Sequence, residues 1–297
     1  MDTTKLSFID HRAAGWYYPW IMGGNVPTSS PLEKKMHLTK QGGFDGMGTS
    51  WWDLVSFYQE RGDLSQLKAI SAELGLPLTG YTFTVDNWAF STGKARENAM
   101  LFGRTAIGLA HAVGCDNAAI VGPLEKGDLR HVASAYRELC QYAATLGMKL
   151  AFELMGLATQ LNSIRAAREM LELAAVENGG LAIDSYHFFA GPSTWRDLED
   201  LPLSQIIAVH LADGPEDLSD PSIEFNRIMP GEGELELVDF VRVLDAKGFD
   251  GFWHVECIRG ADYATDLAAV IKHAFERTTE LVTSGLRPAT ESAAQNS

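Results

Sequence analysis

The sequence predicts a single-domain (β/α)8 TIM barrel, and three observations point to it. Short, near-continuous apolar runs recur along the chain, which is how parallel strands buried on both faces read. These runs alternate with longer segments of helical period, and no Pro/Ser-rich linker, tandem repeat or internal charge run marks a domain boundary. Finally, four runs end in a residue that binds divalent cations: Lys149-Leu-Ala-Phe-Glu153, Gly180-Leu-Ala-Ile-Asp184, Ile206-Ile-Ala-Val-His210 and Phe252-Trp-His-Val-Glu256. The ligand-type residues are 31, 26 and 46 positions apart, and each gap holds a helix with its loops. Functional side chains of such barrels gather where the strands end. Three carboxylates and one imidazole would therefore converge on one point.

In chain order, strands are expected at 6–10 (extending to 18 in the longest reading), 46–49, 78–83, 117–121, 149–154, 180–184, 205–211 and 251–256. Helical periodicity places helices at 64–74, 93–113, 128–146, 163–175, 236–247 and 263–282. Several stop at Gly75, Gly114, Gly147 or Gly248, which suits the left-handed position after a helix. Gly147-Met-Lys-Leu and Gly248-Phe-Asp-Gly lead directly from a helix end into a ligand-bearing strand. Such short connections belong on the stability face of a barrel. The segments after the strands are long and aromatic at 11–30, 85–90, 185–197 and 212–234, and long loops on that side carry binding function. The barrel is accordingly assigned to residues 1–283. Residues 284–297 are polar, lack helical period and read as a frayed tail.

Composition narrows the function classes. The 297 residues are 46% hydrophobic and 21% charged, enough to bury one large core. No stretch approaches the roughly 20 apolar residues of a membrane span, and the N-terminus lacks a secretory pattern, so a cytoplasmic protein is expected. Asp and Glu outnumber Lys and Arg by 39 to 24, for a formal charge of −15, which argues against nucleic acid as a partner. Cys115, Cys140 and Cys257 are odd in number and form no Cys-x-x-Cys pair, so they read as reduced thiols.

Oxygen-rich ligation with one imidazole at Glu153, Asp184, His210 and Glu256 suits Mn²⁺ first, then Mg²⁺, Co²⁺ or Zn²⁺. Taken singly, each acid has a plainer explanation: an acid at a strand end often caps the following helix or pairs with an arginine. Four such residues at the mouths of strands five to eight make that explanation weaker. Residues two before a ligand share its face; they are Ala151, Ala182 and Ala208, with His254 the exception. Small residues there either leave room for an ion or simply fill the barrel's taper. His254 reads as a partner of a ligand rather than a ligand. The aromatic segments Gly15-Trp-Tyr-Tyr-Pro-Trp20, Trp51-Trp52 and Asp86-Asn-Trp88 either form an apolar wall around the mouth, with Trp16 and Trp88 against substrate, or serve as core and oligomer contacts.

From about Gly147 to Val282 the chain resembles the xylose-isomerase-like sugar isomerase and epimerase superfamily, which also contains inosose isomerases, dehydratases and endonuclease IV. The resemblance rests on Phe152-Glu-Leu-Met-Gly156, Leu181-Ala-Ile-Asp-Ser-Tyr-His-Phe188, Val209-His-Leu-Ala-Asp213, Asn226-Arg-Ile-Met-Pro-Gly-Glu-Gly233 and His254-Val-Glu256. The second and fourth segments are most similar to 2-keto-myo-inositol isomerase-like proteins. This resemblance implies that Glu153, Asp184, His210 and Glu256 hold the metal and that His187 and Arg227 contact substrate. The first half departs from the family's compact pattern, which leaves the substrate open.

The implied chemistry is isomerisation or epimerisation of a keto-sugar or keto-cyclitol through an enediolate, with Glu153 and Glu256 taking and returning the proton. His187 and Arg227 would hold substrate oxygens. An alternative lyase uses the same α-proton and then expels a β group, as a dehydratase or as a deglycosidase of 3-oxo-glycosides or C-glycosides with a small partner subunit. A DNA-repair endonuclease fits poorly with eight histidines and the acidic charge. A non-enzymatic sugar-binding barrel fits poorly with a full ligand set. A homo-oligomer is expected from the exposed aromatics and the resemblance.

Overall fold

The structure is a computed structural model that describes residues 4–9, 31–85, 87–225, 227–257 and 266–286. Its strands are β1 (Leu6–Phe8), β2 (Gly46–Ser50), β3 (Leu78–Phe83), β4 (Asn117–Val121), β5 (Lys149–Glu153), β6 (Gly179–Asp184), β7 (Ile206–Leu211) and β8 (Trp253–Val255). Each pairs in parallel with the next, and β8 pairs with β1, so the sheet closes into a barrel without an edge. Most of the runs are largely apolar because one face meets the barrel interior and the other the helices. All eight expected strands are present.

Six of the ten described helices fall where periodicity places them: α3 (Ser65–Leu74), α4 (Gly93–Val113), α5 (Leu129–Thr145), α6 (Ile164–Ala174), α9 (Leu237–Ala246) and α10 (Leu267–Leu286). Gly75, Gly114, Gly147 and Gly248 all adopt the left-handed conformation. Sequence reading misses α1 (Leu32–Gln41) and α2 (Trp51–Arg61). It also takes residues 185–197 as a loop, whereas two short helices, α7 (Ser185–Ala190) and α8 (Trp195–Glu199), occupy them. Side-chain caps account for both: Asp184 accepts from the His187 N–H, and Thr194 forms a reciprocal capping box with Asp197. The last helix runs to Leu286, three residues into the segment assigned to the tail.

Across β4 to β7 the register aligns Ala119 with Ala151 and Ala182 with Ala208, and these four alanines form a compact buried layer of their own. On β5, β6 and β7 the ligand-type residues stand two residues further along on the same face, toward the end where strands pass into α7 and the loop after β7. Asp184 lies directly beside His210, and the Glu256 N–H donates to the Leu211 carbonyl. From the helical layer, the Tyr136 hydroxyl is 2.5 Å from the Leu150 carbonyl oxygen and 3.1 Å from both the carbonyl oxygen and the amide nitrogen of Gly180, tying β5 to β6. No described helix is long and apolar enough to cross a membrane.

Candidate metal centre

Strand alternation and register bring Glu153, Asp184, His210 and Glu256 together, with one ligand atom of each within 4.8 Å of the others. All four are buried, at 2–3% exposure. His210 Nδ1 is the ring atom turned into the cluster, 3.1 Å from Glu153 Oε1 and 2.7 Å from Glu256 Oε2. Burial opposes protonation of this imidazole, but the Glu256 and Glu153 carboxylates outweigh it and raise its pKa well above the ordinary histidine value. Burial also raises the pKa of Asp184, an effect opposed by Arg227 and His187 and reinforced by the neighbouring Glu256 and Glu153.

Asp184 combines the two commonplace roles of a strand-end acid with its place in the cluster. Its Oδ1 caps α7 by accepting the His187 N–H at 3.0 Å, and its Oδ2 meets Arg227 Nη1 at 2.9 Å. Arg227 is almost fully buried. Its Nη1 also donates to the Glu256 carbonyl at 3.3 Å, its Nη2 meets Glu224 Oε1 at 2.5 Å, and the guanidinium lies 4.6 Å over the Tyr186 ring. Nη2 further stands 3.3 Å from His187 Nε2. The other ring nitrogen, Nδ1, lies 3.6 Å from Glu224 Oε2. Burial raises the pKa of Glu224, but Arg227 and His187 more than compensate, so the net shift is downward.

Sequence reading does not find Glu224, which sits in a 3-10 turn (Pro221–Phe225) inside a polar loop without periodicity. Its one available signal is the three-residue spacing to Arg227. His254 lies two residues below Glu256, with its ring centroid 5.6 Å from that of His210. Burial, and then the His210 charge, push its pKa down to about 3. It sits against Gly80, where a Cβ would lie 3.1 Å from its Cε1. Trp88 is buried; its indole N–H donates to the Val121 carbonyl at 3.1 Å, and its ring meets Phe152 edge-on. Trp51 is half-buried at the start of α2, with its ring centroid 4.4 Å from that of Phe102. Trp16, the rest of 10–30 and Asp86 lie outside the described residues.

The donor set fits a divalent cation. Three carboxylates and an imidazole share a volume small enough for one ion, and three buried acids this close repel one another unless positive charge sits among them. The alanine layer beneath keeps bulk out of the centre. The profile of the xylose isomerase-like TIM barrel family matches residues 36–280. The chain belongs to that family. Within it, an inosose isomerase of Halalkalibacterium halodurans is 31% identical over 158 residues, which cover 52% of this chain and 55% of that protein. A 3-dehydroshikimate dehydratase of Pseudomonas aeruginosa is 26% identical over 232 residues, covering 76% of this chain and 36% of that protein. The chain thus spans about half the length of the inosose isomerase it matches. The IOLI protein, solved with a zinc atom, superposes with a TM-score of 0.81 at 19% identity over 96% of this chain and all of that one.

Proposed function

We propose that the protein is a divalent-metal-dependent isomerase or epimerase of a keto-sugar or keto-cyclitol, acting through an enediolate. The observation that carries this reading is the buried convergence of Glu153, Asp184, His210 and Glu256. These four would hold the cation, with Mn²⁺ preferred for a donor set of three carboxylates and one nitrogen. When bound, the cation would polarise the substrate carbonyl and stabilise the negative charge that develops on deprotonation. The remaining chemistry belongs to the chain. Glu153 and Glu256, contributed from β5 and the end of β8, would take the α-proton and return it. The Arg227 guanidinium, held by Asp184 and Glu224, would place fixed positive charge beside the developing anion, and His187 would hold a substrate oxygen. Trp88 has its indole N–H committed to Val121, so any contact with substrate would come through its ring. Trp16 is proposed as a second substrate contact.

The experiment incubates the Mn²⁺-loaded protein with inososes and ketoses in deuterated water. Deuterium entry at the carbon next to the carbonyl is expected, and no exchange at any substrate carbon would sink the proposal. The similarity to a dehydratase over 76% of this chain keeps elimination as a second reading. Product analysis separates the two, because an isomer retains every atom whereas a lyase releases water or an aglycone. A cytoplasmic setting and homo-oligomerisation complete the proposal. Three buried cysteines outside any disulfide among the described residues support the first, and the exposed Tyr58 and Leu101 support the second.

A further inference from the structure

The loop carrying Arg227 is fastened by a carboxylate outside the cluster. Asp213 lies three residues beyond His210 and is 1% exposed. Its Oδ2 accepts the N–H groups of Gly231 and Gly233, both at 3.0 Å, and its Oδ1 accepts those of Gly214 at 2.9 Å and Leu235 at 3.1 Å. Its own backbone exchanges both hydrogen bonds with Ile228, at 2.9 and 2.8 Å. Among the described residues no basic side chain pairs with it, so four backbone donors compensate its burial. The fit leaves no slack: a Cβ at Gly233 would lie 2.4 Å from Asp213 Oδ1 and 2.4 Å from the Gly214 carbonyl oxygen.

Ile228 is the neighbour of Arg227, so the bridge to Asp213 fixes the backbone from which the guanidinium reaches Asp184. A second lock holds the same strand ends together. The Ser185 hydroxyl donates to the Ala212 carbonyl at 2.7 Å and accepts the Ala212 N–H at 2.9 Å. The chain therefore runs a closed circuit from His210 through Asp213, Ile228 and Arg227 to Asp184, which stands beside His210 in register.

We propose that Asp213 is a positioning residue that aims Arg227 at Asp184 and so orients this carboxylate in the cluster. Its functional consequence rests on the metal reading above, whereas the positioning itself does not. The test is Asp213→Asn, of nearly the same shape, whose amide group presents a donor to backbone donors and forfeits part of the clamp. Side-chain N–H exchange of Arg227, followed by NMR, is expected to rise on the order of 10-fold, as is that of the Gly231 and Gly233 amides. The Mn²⁺ dissociation constant is expected to rise by about 10-fold, the low end of the scale for losing a direct partner of a metal ligand, because here that partner, Arg227, is misaimed rather than removed. Because the effect passes through Arg227, adding Asp213→Asn to Arg227→Met changes that constant by less than about 2-fold. Glu232→Ala, in the same loop but outside the clamp, leaves all three readouts at wild-type values. Unchanged Arg227 exchange in Asp213→Asn, or independent multiplication of the two effects on Mn²⁺ binding, overturns the proposal. If the unaltered protein binds no Mn²⁺, the metal reading fails and the exchange measurements alone decide the positioning. Should Asp213→Asn not fold, amide exchange in the unaltered protein decides: Gly231, Gly233 and Leu235 protected like β7 is the expected result, and exchange at exposed-loop rates contradicts it.

Discussion

His210 is the residue on which the charge balance of the centre turns. Held between Glu153 and Glu256, whose carboxylates push its pKa well above the ordinary value, its imidazole favours the protonated form. Metal loading must displace that proton, because a ligating imidazole is neutral. Calorimetry of Mn²⁺ binding in buffers of different ionisation heat is therefore expected to report about one proton released per ion, and binding should weaken as pH falls. The proposed proton-transfer role makes its own demand. Glu153→Gln and Glu256→Gln, which keep shape but remove the base, are each expected to lower kcat by about 10²- to 10⁴-fold. The thiols supply a pH test remote from the centre. Burial pushes both Cys115 and Cys140 up to about 12 from an ordinary value of 9. An acid whose folded pKa is raised adds stability that is intact below the unfolded value and lost as pH climbs toward the folded one. Urea unfolding should thus show stability falling between pH 9 and 10 by up to roughly 1.4 kcal/mol per thiol per pH unit. Cys115→Ala with Cys140→Ala should flatten that slope.

At the scale of elements, Tyr136 offers the cleanest energetic test. Its hydroxyl bridges β5 and β6 from α5, so Tyr136→Phe leaves buried backbone groups without that partner and should cost about 1–3 kcal/mol in denaturant unfolding. Most strands were legible in the sequence because burial on both faces turns them into short, largely apolar runs. Helices with an apolar stripe, such as α5 and α6, were legible for the same reason. The missed helices are obscured in other ways. Lysines, His37 and Gln41 dilute α1, although Pro31 before it and the charge order from Glu33 to Lys40 marked its ends. The start of α2 is a pair of tryptophans directly after β2, and only the Ser50 and Asp53 capping box announced it. In α7 six residues are too few to show a period. The four clustered residues were legible because each stands at or beside the end of a strand. Glu224 and Asp213 were not, because each acts through a loop whose path is set by tertiary contacts rather than by local pattern.

The whole molecule presents a formal charge of −15 around a centre that itself holds an excess of carboxylates. Such a field draws cations and disfavours polyanions, which agrees with a small, uncharged polyhydroxylated substrate. A cation that binds only the folded barrel stabilises it by mass action, by about 2.7 kcal/mol when its concentration is a hundred times Kd. The thermal midpoint should therefore rise with Mn²⁺ and return to its starting value with EDTA. The most direct measurement is a calorimetric titration of chelator-stripped protein with Mn²⁺, repeated on Asp184→Ala and His210→Ala variants whose circular dichroism matches the unaltered chain. The centre described here predicts one ion bound per chain and its loss in both variants. Absence of binding in the unaltered protein, or the same stoichiometry and affinity in all three, would contradict it.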